Sequence, residues 1–236
     1  MQTTVDIREL QERIERESSF VDALTLGMNK VIVGQKHLVE SLLIGLLADG
    51  HILLEGVPGL AKTLAINTLA KLVKADFSRI QFPPDLLPAD VVGTQIFSQK
   101  SEEFTVRKGP VFANFVLADE INRATPKTQS ALLEAMQEKT VTVGKKTYPL
   151  PQPFMVLATQ NPIENEGTYP LPEAQLDRFL MKLNVEFPNL KELKEIMDVT
   201  VTNKKIELNS IMNGDDIIKI RSVIRDIPIA DAVQEY

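Results

Sequence analysis

A glycine-bearing turn that ends in a lysine and a threonine is the stretch of this sequence best suited to bind phosphate. Residues 56 to 63 read Gly-Val-Pro-Gly-Leu-Ala-Lys-Thr, between the apolar run 52–54 and helically spaced apolar residues from 64 to 73. Backbone N–H groups at a helix start favour phosphate, and the helix dipole adds to this. Strand, turn and helix in this order are what a P-loop requires. The candidate phosphate-binding residues are Val57, Pro58, Gly59, Leu60, Ala61, Lys62, Thr63 and Leu64.

Two side chains of this turn have predicted roles. Lys62 would contact the β- and γ-phosphates of a nucleotide, and the hydroxyl of Thr63 would ligate Mg²⁺. The strict pattern has glycine before the lysine, where this chain has Ala61, a small residue that still lets the loop close around a phosphate. The alternative is a chance glycine turn between a strand and a helix.

Two adjacent carboxylates follow a second buried strand. Residues 115–118 are apolar, and Asp119 and Glu120 come directly after them. Acidic residues at the carboxyl end of a core strand suit the ligand-binding edge of an α/β sheet. Asp119 would hold Mg²⁺ and Glu120 would polarise an attacking water. The alternative is a strand that ends in solvated acids.

Two further polar residues are candidates for the same site. Asn161 follows the buried strand 153–158 and could orient the hydrolytic water. Arg178 follows a short helical segment, where it could pair with Asp177 or project to a phosphate of a neighbouring subunit. Spacing alone favours the pairing with Asp177.

Composition limits the class of protein. The 236 residues carry a net charge of −6, which argues against a mainly electrostatic grip on nucleic acid. There are no cysteines, so disulfides, thiolate metal sites and cysteine nucleophiles are excluded. The longest apolar run, 42–48, is too short to cross a membrane, so we expect a cytoplasmic protein with no membrane insertion.

The rest of the chain predicts an α/β core with appended elements. Residues 6–20 predict a surface helix, and 21–48 predict two helices around a turn at Gly34. Alternating segments predict hairpins near 91–107 and 141–150, and 126–139 predict a helix. The composition changes after 188, so we expect an N-terminal helix at 1–19, a core at 20–187 and a helical appendage at 188–236.

Taken together, these motifs resemble the MoxR branch of the AAA+ ATPases. The matching stretches are VIVGQ at 31–35, GVPGLAKT at 56–63, LADEINRA at 117–124, ATQNP at 158–162 and LPEAQLDRF at 171–179. The resemblance covers about residues 20 to 236. It implies a P-loop core whose parallel five-stranded sheet has the order 5-1-4-3-2, followed by a helical lid. The family pattern also includes Ala-Lys-Thr, which accounts for Ala61.

The resemblance also implies a function and residue roles. It implies ATP/ADP and Mg²⁺ as ligands, a homo-oligomeric ring that is commonly a hexamer, and a von Willebrand A domain protein as partner. Lys62 and Thr63 match Walker A, Asp119 and Glu120 match Walker B, and Asn161 matches sensor 1. Arg178 matches an arginine finger acting in trans, which reverses the preference from spacing. Gly34 and Gln35 would lie near the adenine, and Arg123 would face the interface.

Three functions remain open at the level of sequence. The first is a chaperone-like ATPase that remodels partner proteins. The second is a nucleotide-gated binding module with negligible hydrolysis, and the third is a DNA-acting motor. The basic residues at the hairpin bases, Arg107, Lys108, Lys145 and Lys146, favour the motor, whereas the net negative charge opposes it. The resemblance also implies a longer lid with a sensor-2 arginine, a role that we assign to neither Arg221 nor Arg225.

Overall fold

The structure, a computed structural model, describes residues 7–56, 62–99, 102–161, 167–185, 187–201, 207–227, 229 and 233. In chain order the elements are α1 (Ile7–Asn29), α2 (Lys36–Leu47), β1 (Ile52–Glu55), α3 (Lys62–Leu72), β2 (Phe77–Gln81), α4 (Pro88–Val92), β3 (Gly93–Ser98), β4 (Glu103–Lys108), β5 (Phe115–Asp119), a 3-10 turn (Ile121–Arg123), α5 (Pro126–Glu138), β6 (Thr140–Val143), β7 (Lys146–Pro149), β8 (Met155–Gln160), α6 (Glu173–Leu176), β9 (Met181–Asn184), α7 (Leu190–Val201) and α8 (Gly214–Arg225).

Five parallel strands form the central sheet. Their order is β2-β5-β8-β1-β9, and every neighbouring pair is parallel. When the five strands are numbered along the chain, this order is 2-3-4-1-5. Read from the opposite edge of the sheet, it is 5-1-4-3-2. The predicted α/β fold class and strand order are therefore confirmed.

The sheet separates two hydrophobic cores. Leu117 and Leu157 face one core, which α2, α3 and α8 also line, whereas Val116 and Val156 face the other, beneath α5. Side chains of a strand point alternately to the two faces, so a strand that is buried on both sides needs a continuous apolar run. This is why 115–118 and 155–158 read as uninterrupted apolar segments.

Both predicted hairpins are present. β3 pairs antiparallel with β4, and β6 with β7. In the second hairpin Gly144 has a φ of 65°, and a Cβ there would overlap the side chain of Gln95 in β3. The turn therefore requires glycine, and it brings the two hairpins into contact.

The helices also agree with the sequence analysis in their main features. The helix predicted at 6–20 is the first part of α1, which continues to Asn29, so the expected boundary between residues 19 and 20 lies within one helix. Thr125 is at the N-cap of α5, as predicted, but its side chain makes no capping hydrogen bond. The division into three domains stays a prediction. No helix in the described ranges is long and apolar enough to span a membrane.

A buried ionic cluster joins α8 to the amino edge of the sheet. Asp49, after α2, accepts a hydrogen bond from Arg221 of α8 at 2.5 Å and pairs with Lys139 at the end of α5. The Nε of Arg221 also donates to the carbonyl of Leu46 at 2.8 Å. Burial lowers the pKa of Arg221, and the charge of Asp49 opposes that effect. Asp49 therefore compensates a cation that has little access to water.

Candidate functional site

Polar side chains line the carboxyl edge of the sheet, where the strands end in register. Gln81 of β2 lies opposite Asp119 of β5, and Glu55 of β1 lies opposite Gln160 of β8. The carboxyl ends of parallel strands meet at one edge, which is where open α/β sheets bind ligands. The sequence-predicted residues Lys62, Asp119, Glu120 and Asn161 all follow these strand ends.

Lys62 begins α3 with its ammonium group turned back toward the end of β1. It is 9% exposed, and its Nζ donates to the carbonyl oxygen of Gly56 at 3.0 Å. Burial lowers the pKa of Lys62, whereas the negative charges of Asp119 and Glu120 raise it. A partly desolvated cation interacts more strongly with a nearby anionic ligand than a fully solvated one does. Residues 57–61, the remainder of the predicted phosphate-binding turn, lie outside the described residues.

The carboxylate of Asp119 has one partner on each neighbouring strand. Its Oδ1 accepts from the hydroxyl of Thr159 at 2.7 Å, and its Oδ2 accepts from Nη2 of Arg79 at 2.6 Å. Arg79 is half-exposed on β2, the edge strand of the sheet. The oxygen that faces Arg79 is therefore held by a side chain that solvent can reach and that can move away.

Glu120 adopts a left-handed backbone conformation, with φ 56° and ψ 49°. Its backbone N–H donates to the hydroxyl of Thr159 at 2.9 Å. Its Oε2 accepts from Gln81 at 2.9 Å and from Arg123 at 3.1 Å. The chain thus turns at Glu120, directly after β5, and its carboxylate lies between the side chains of Gln81 and Arg123.

Asn161 lies directly after β8 and is 8% exposed. Its carbonyl oxygen accepts from Nδ2 of Asn122 at 3.3 Å, which joins the 3-10 turn after β5 to the residue that follows β8. This contact lies at the same edge as Asp119 and Thr159. The structure therefore brings Asn161 to the end of β8, one strand away from the two acids.

A pocket of about 410 Å³ lies at the end of β9, the strand that pairs with β1. Gly34 and Gln35, directly before α2, line it together with Val185 and Glu192. Val185 also contacts the end of β1, because its N–H donates to the carbonyl oxygen of Glu55 at 2.8 Å. The predicted base-binding residues Gly34 and Gln35 thus line a cavity next to the predicted phosphate site.

Arg178 lies at the other edge of the sheet. It precedes β9, and Leu180 donates its N–H to the carbonyl of His51, just before β1. The five steps along the chain from His51 to Gly56 span roughly 17 Å at about 3.3 Å per residue, which exceeds the reach of an arginine side chain. Its Nη1 donates to the carbonyl of Leu133 at 2.9 Å, rather than pairing with Asp177 as spacing favours. Arg178 is thus remote from the phosphate site of its own chain.

The donors present fit a nucleotide with its magnesium ion. Asp119 and the hydroxyl of Thr63 are oxygen ligands of the kind that Mg²⁺ prefers. Among the described residues, no group of three or more His, Asp or Glu side chains could hold a metal unaided. Mg²⁺ commonly binds through one or two protein oxygens together with substrate phosphates, so this sparse set suits it.

Sequence reasoning missed four side chains that hold this edge together. Arg79 and Gln81 contact the two acids from β2, Thr159 bonds both Asp119 and Glu120, and Asn122 bonds Asn161. The alternation on β2 carried a signal, because two polar residues flank the buried Ile80. Thr159 and Asn122 lie inside the recognised motifs, but their partners are about 40 residues away.

A parallel sheet with a lysine after one strand end and paired acids at another is the arrangement found in P-loop nucleotide-binding proteins. The comparisons with known proteins agree. A model of the ATPase family associated with various cellular activities (AAA) matches residues 51–181. Chaperone MoxR1 of Mycobacterium tuberculosis is 50% identical over 228 residues, which cover 95% of this chain and 59% of that protein.

Two further relatives support the same assignment. The uncharacterized protein YeaC of Bacillus subtilis is 50% identical over 210 residues, covering 89% of this chain and 66% of YeaC. A crystal structure of a "putative ATPase" from Cytophaga hutchinsonii superposes with a TM-score of 0.88 at 50% identity, covering 98% of this chain and 70% of that one. The chain belongs to the AAA ATPase family, in its MoxR branch. The chain spans about three fifths of the length of MoxR1 and about two thirds of the length of YeaC.

Proposed function

We propose that this protein binds and hydrolyses ATP and uses the cycle to remodel or assemble partner proteins. The observation that carries the proposal is the convergence of Lys62, Asp119 and Glu120 at one sheet edge, where the two acids act electrostatically on Lys62. The adjoining pocket at Gly34 supplies space for a nucleoside next to that edge. Family membership gives the class of ligand.

Each residue has a role in this proposal. Lys62 binds the β- and γ-phosphates, and Thr63 and Asp119 would hold Mg²⁺, which supplies charge neutralisation when bound. Glu120 accepts a proton from the attacking water, and Asn161 orients that water. Gly34 and Gln35 lie against the adenine. The predicted loop residues 57–61 and Leu64 complete the nucleotide site.

We further propose that Arg178 acts on the nucleotide of a neighbouring subunit. Its position at the amino edge separates it from its own phosphate site, so a contribution to catalysis requires a second copy. Such a head-to-tail arrangement closes into a ring, and a hexamer is the expected size. The open pocket of about 290 Å³ around Arg178 and Glu134 leaves room for groups of that neighbour.

The hairpins β3–β4 and β6–β7 are the elements that we expect to act on partners. Phe97 and Phe104 of the first hairpin form an exposed aromatic pair with ring centroids 5.2 Å apart. A partner with a von Willebrand A domain is the prediction from the family. That partner and a cytoplasmic site of action both stay proposals.

The test is the steady-state ATPase rate per subunit against protein concentration. We expect the wild-type rate to rise with concentration, because the site is completed in trans. Arg178→Ala should abolish that rise, and Glu120→Gln should lower turnover about 100-fold while nucleotide still binds. Arg225→Ala, which removes an exposed arginine on α8, is the matched control. Unchanged turnover in Glu120→Gln would contradict the mechanism.

A second candidate is a nucleotide-gated module with negligible hydrolysis. The observation in its favour is that β2 holds both acids, since Arg79 bonds Asp119 and Gln81 bonds Glu120. If these contacts persist with nucleotide bound, the acids are not free to act on water or metal. Nucleotide-dependent assembly with the same negligible turnover in wild type and Glu120→Gln would select this candidate.

A further inference from the structure

We propose that Asn122 is a positioning residue for hydrolysis, which fixes the backbone of Asn161 relative to Glu120. This inference rests on the proposed function. Asn122 is 7% exposed and lies in the 3-10 turn two residues after Glu120. Its Nδ2 donates to the carbonyl oxygen of Asn161 at 3.3 Å. One short side chain therefore connects the residue proposed to activate water with the residue proposed to orient it.

The backbone around Asn122 is anchored independently of its side chain. The carbonyl of Asn122 accepts from the N–H of Tyr169 at 2.6 Å. Nε2 of Gln129, a fully buried residue of α5, reaches the carbonyls of Ile121 and Ala124 at 3.1 Å, on either side of Asn122. A turn held in this way stays in place when the side chain of Asn122 is replaced. The amide of Asn122 is thus free to serve the contact with Asn161.

The same amide carries a cost that a purely structural residue would not need. Among the described residues, Oδ1 of Asn122 has no hydrogen-bond partner although it is buried. A buried acceptor without a donor destabilises the folded protein, and an apolar side chain of similar size would remove that penalty. The residue is therefore poorly suited to stability and well suited to holding Asn161.

The chain provides a matched control at the other end of the same two strands. Asn114 precedes β5, and its Nδ2 donates to the carbonyl of Pro153, which precedes β8, at 3.0 Å. The two asparagines thus make the same type of bond across β5 and β8, one at each edge. Oδ1 of Asn114 is satisfied, since it accepts from the N–H of Asp76 at 3.1 Å. Of this pair, Asn122 is the one at the edge with the proposed catalytic groups.

The experiment compares Asn122→Leu with Asn114→Leu. We expect Asn122→Leu to lower kcat about 100-fold through misplacement of Asn161, with the KM for ATP and the Kd for a fluorescent ADP analogue unchanged. Its melting temperature should stay close to that of the wild type, because loss of the unpaired acceptor offsets loss of the donor to the carbonyl of Asn161. Asn114→Leu should instead lose thermal stability and keep the wild-type kcat.

A double-variant cycle separates positioning from general damage. In an Asn161→Ala background there is no side chain left to position, so adding Asn122→Leu should cause no further loss of kcat. Two results would overturn the inference. One is a double variant whose loss of kcat equals the product of the losses in the two single variants, and the other is a wild-type kcat in Asn122→Leu. If Asn122→Leu does not fold, Asn122→Ser is measured in the same cycle with the same criteria. Failure of the proposed function differs from these outcomes, because the wild type would then show no turnover at all.

Discussion

A buried histidine at the amino edge of the sheet makes the stability of this protein depend on pH. His51 is 6% exposed and precedes β1. Its Nδ1 accepts from the N–H of Val156 at 3.0 Å, and its Nε2 donates to the carbonyl of Met136 at 3.2 Å. Burial is the main reason that the pKa of His51 falls from 6.5 to about 4. Protonation would also break the bond from Val156, since Nδ1 could no longer accept.

The sign and size of the effect follow from this pKa. Because the pKa of His51 is lower in the folded state, the unfolded chain binds its proton first as the pH falls. The stabilising effect is complete above pH 6.5 and is lost between 6.5 and about 4. The difference between the unfolded and folded pKa values corresponds to about 3 kcal/mol of folding free energy in total. About 1.3 kcal/mol of this is lost between pH 7.5 and pH 5.5. The second figure depends mainly on the unfolded pKa, so it changes little with the exact folded value.

The assay is urea unfolding followed by far-ultraviolet circular dichroism at pH 7.5 and 5.5. The chain has no tryptophan, and pH 5.5 stays above the isoelectric point of about 5.1. His51→Asn keeps an acceptor near Val156 but has no group that titrates. Between pH 7.5 and pH 5.5, its free energy of unfolding should therefore fall by about 1.3 kcal/mol less than that of the wild type. His37→Asn, at an exposed position on α2, should behave as wild type. Equal pH dependence in wild type and His51→Asn would refute the reasoning.

Three other changes test the site and its support. Arg79→Ala frees Asp119 from a half-exposed ion pair, so half-maximal binding of an ATP analogue should need about two- to fivefold less Mg²⁺. Asp49→Ala leaves the buried Arg221 unpaired and should lower the free energy of unfolding by about 3 kcal/mol, measured with urea. Gly34→Ala places a Cβ 2.6 Å from the Glu192 carboxyl carbon at a residue whose φ is 78°. Because both residues line the pocket proposed for the adenine, titration with nucleotide should show weaker binding.

Each of these changes has a matched control. Lys182→Ala removes an ion pair with Glu55 that is equally exposed at the same edge, and it should leave the Mg²⁺ dependence unchanged. Arg221→Met, which removes the buried cation itself, should cost less stability than Asp49→Ala, and the opposite ranking would contradict the account of the cluster. Gly167→Ala has a similar φ of 72° but nothing near the added Cβ, so nucleotide affinity should not change.

Much of the fold and part of the site could be predicted from the sequence. The buried strands at 115–118 and 155–158 are continuous apolar runs, and each is followed by the polar residues that lie at the binding edge. Local patterns of this kind determine which segments become core strands. The strand order came from the resemblance, not from periodicity, because no local pattern specifies which strands become neighbours. The roles assigned to individual site residues stay predictions.

The contacts that sequence could not predict are those between distant segments. Arg221 reaches Asp49 across 172 positions, and Arg79 reaches Asp119 across 40. From sequence alone, a charged residue on a helix or strand is predicted to face solvent unless its partner is known. Arg178 shows the same limit, because its spacing favoured Asp177 while packing of the chain gave it the carbonyl of Leu133. Long-range pairs of this kind depend on the assembled fold.

The turn after β5 contains a residue with an uncommon backbone conformation. Among the described non-glycine residues, positive φ occurs at Asp49, Lys74 and Lys139, which follow helices, and at Glu102 in a hairpin turn, where such values are common. Glu120 is different, because it follows a strand. A left-handed conformation costs an ordinary residue roughly 1–2 kcal/mol. The same turn holds the unpaired amide oxygen of Asn122. Local costs of this kind are often found at functional sites, which agrees with the catalytic role that we propose for the turn after β5.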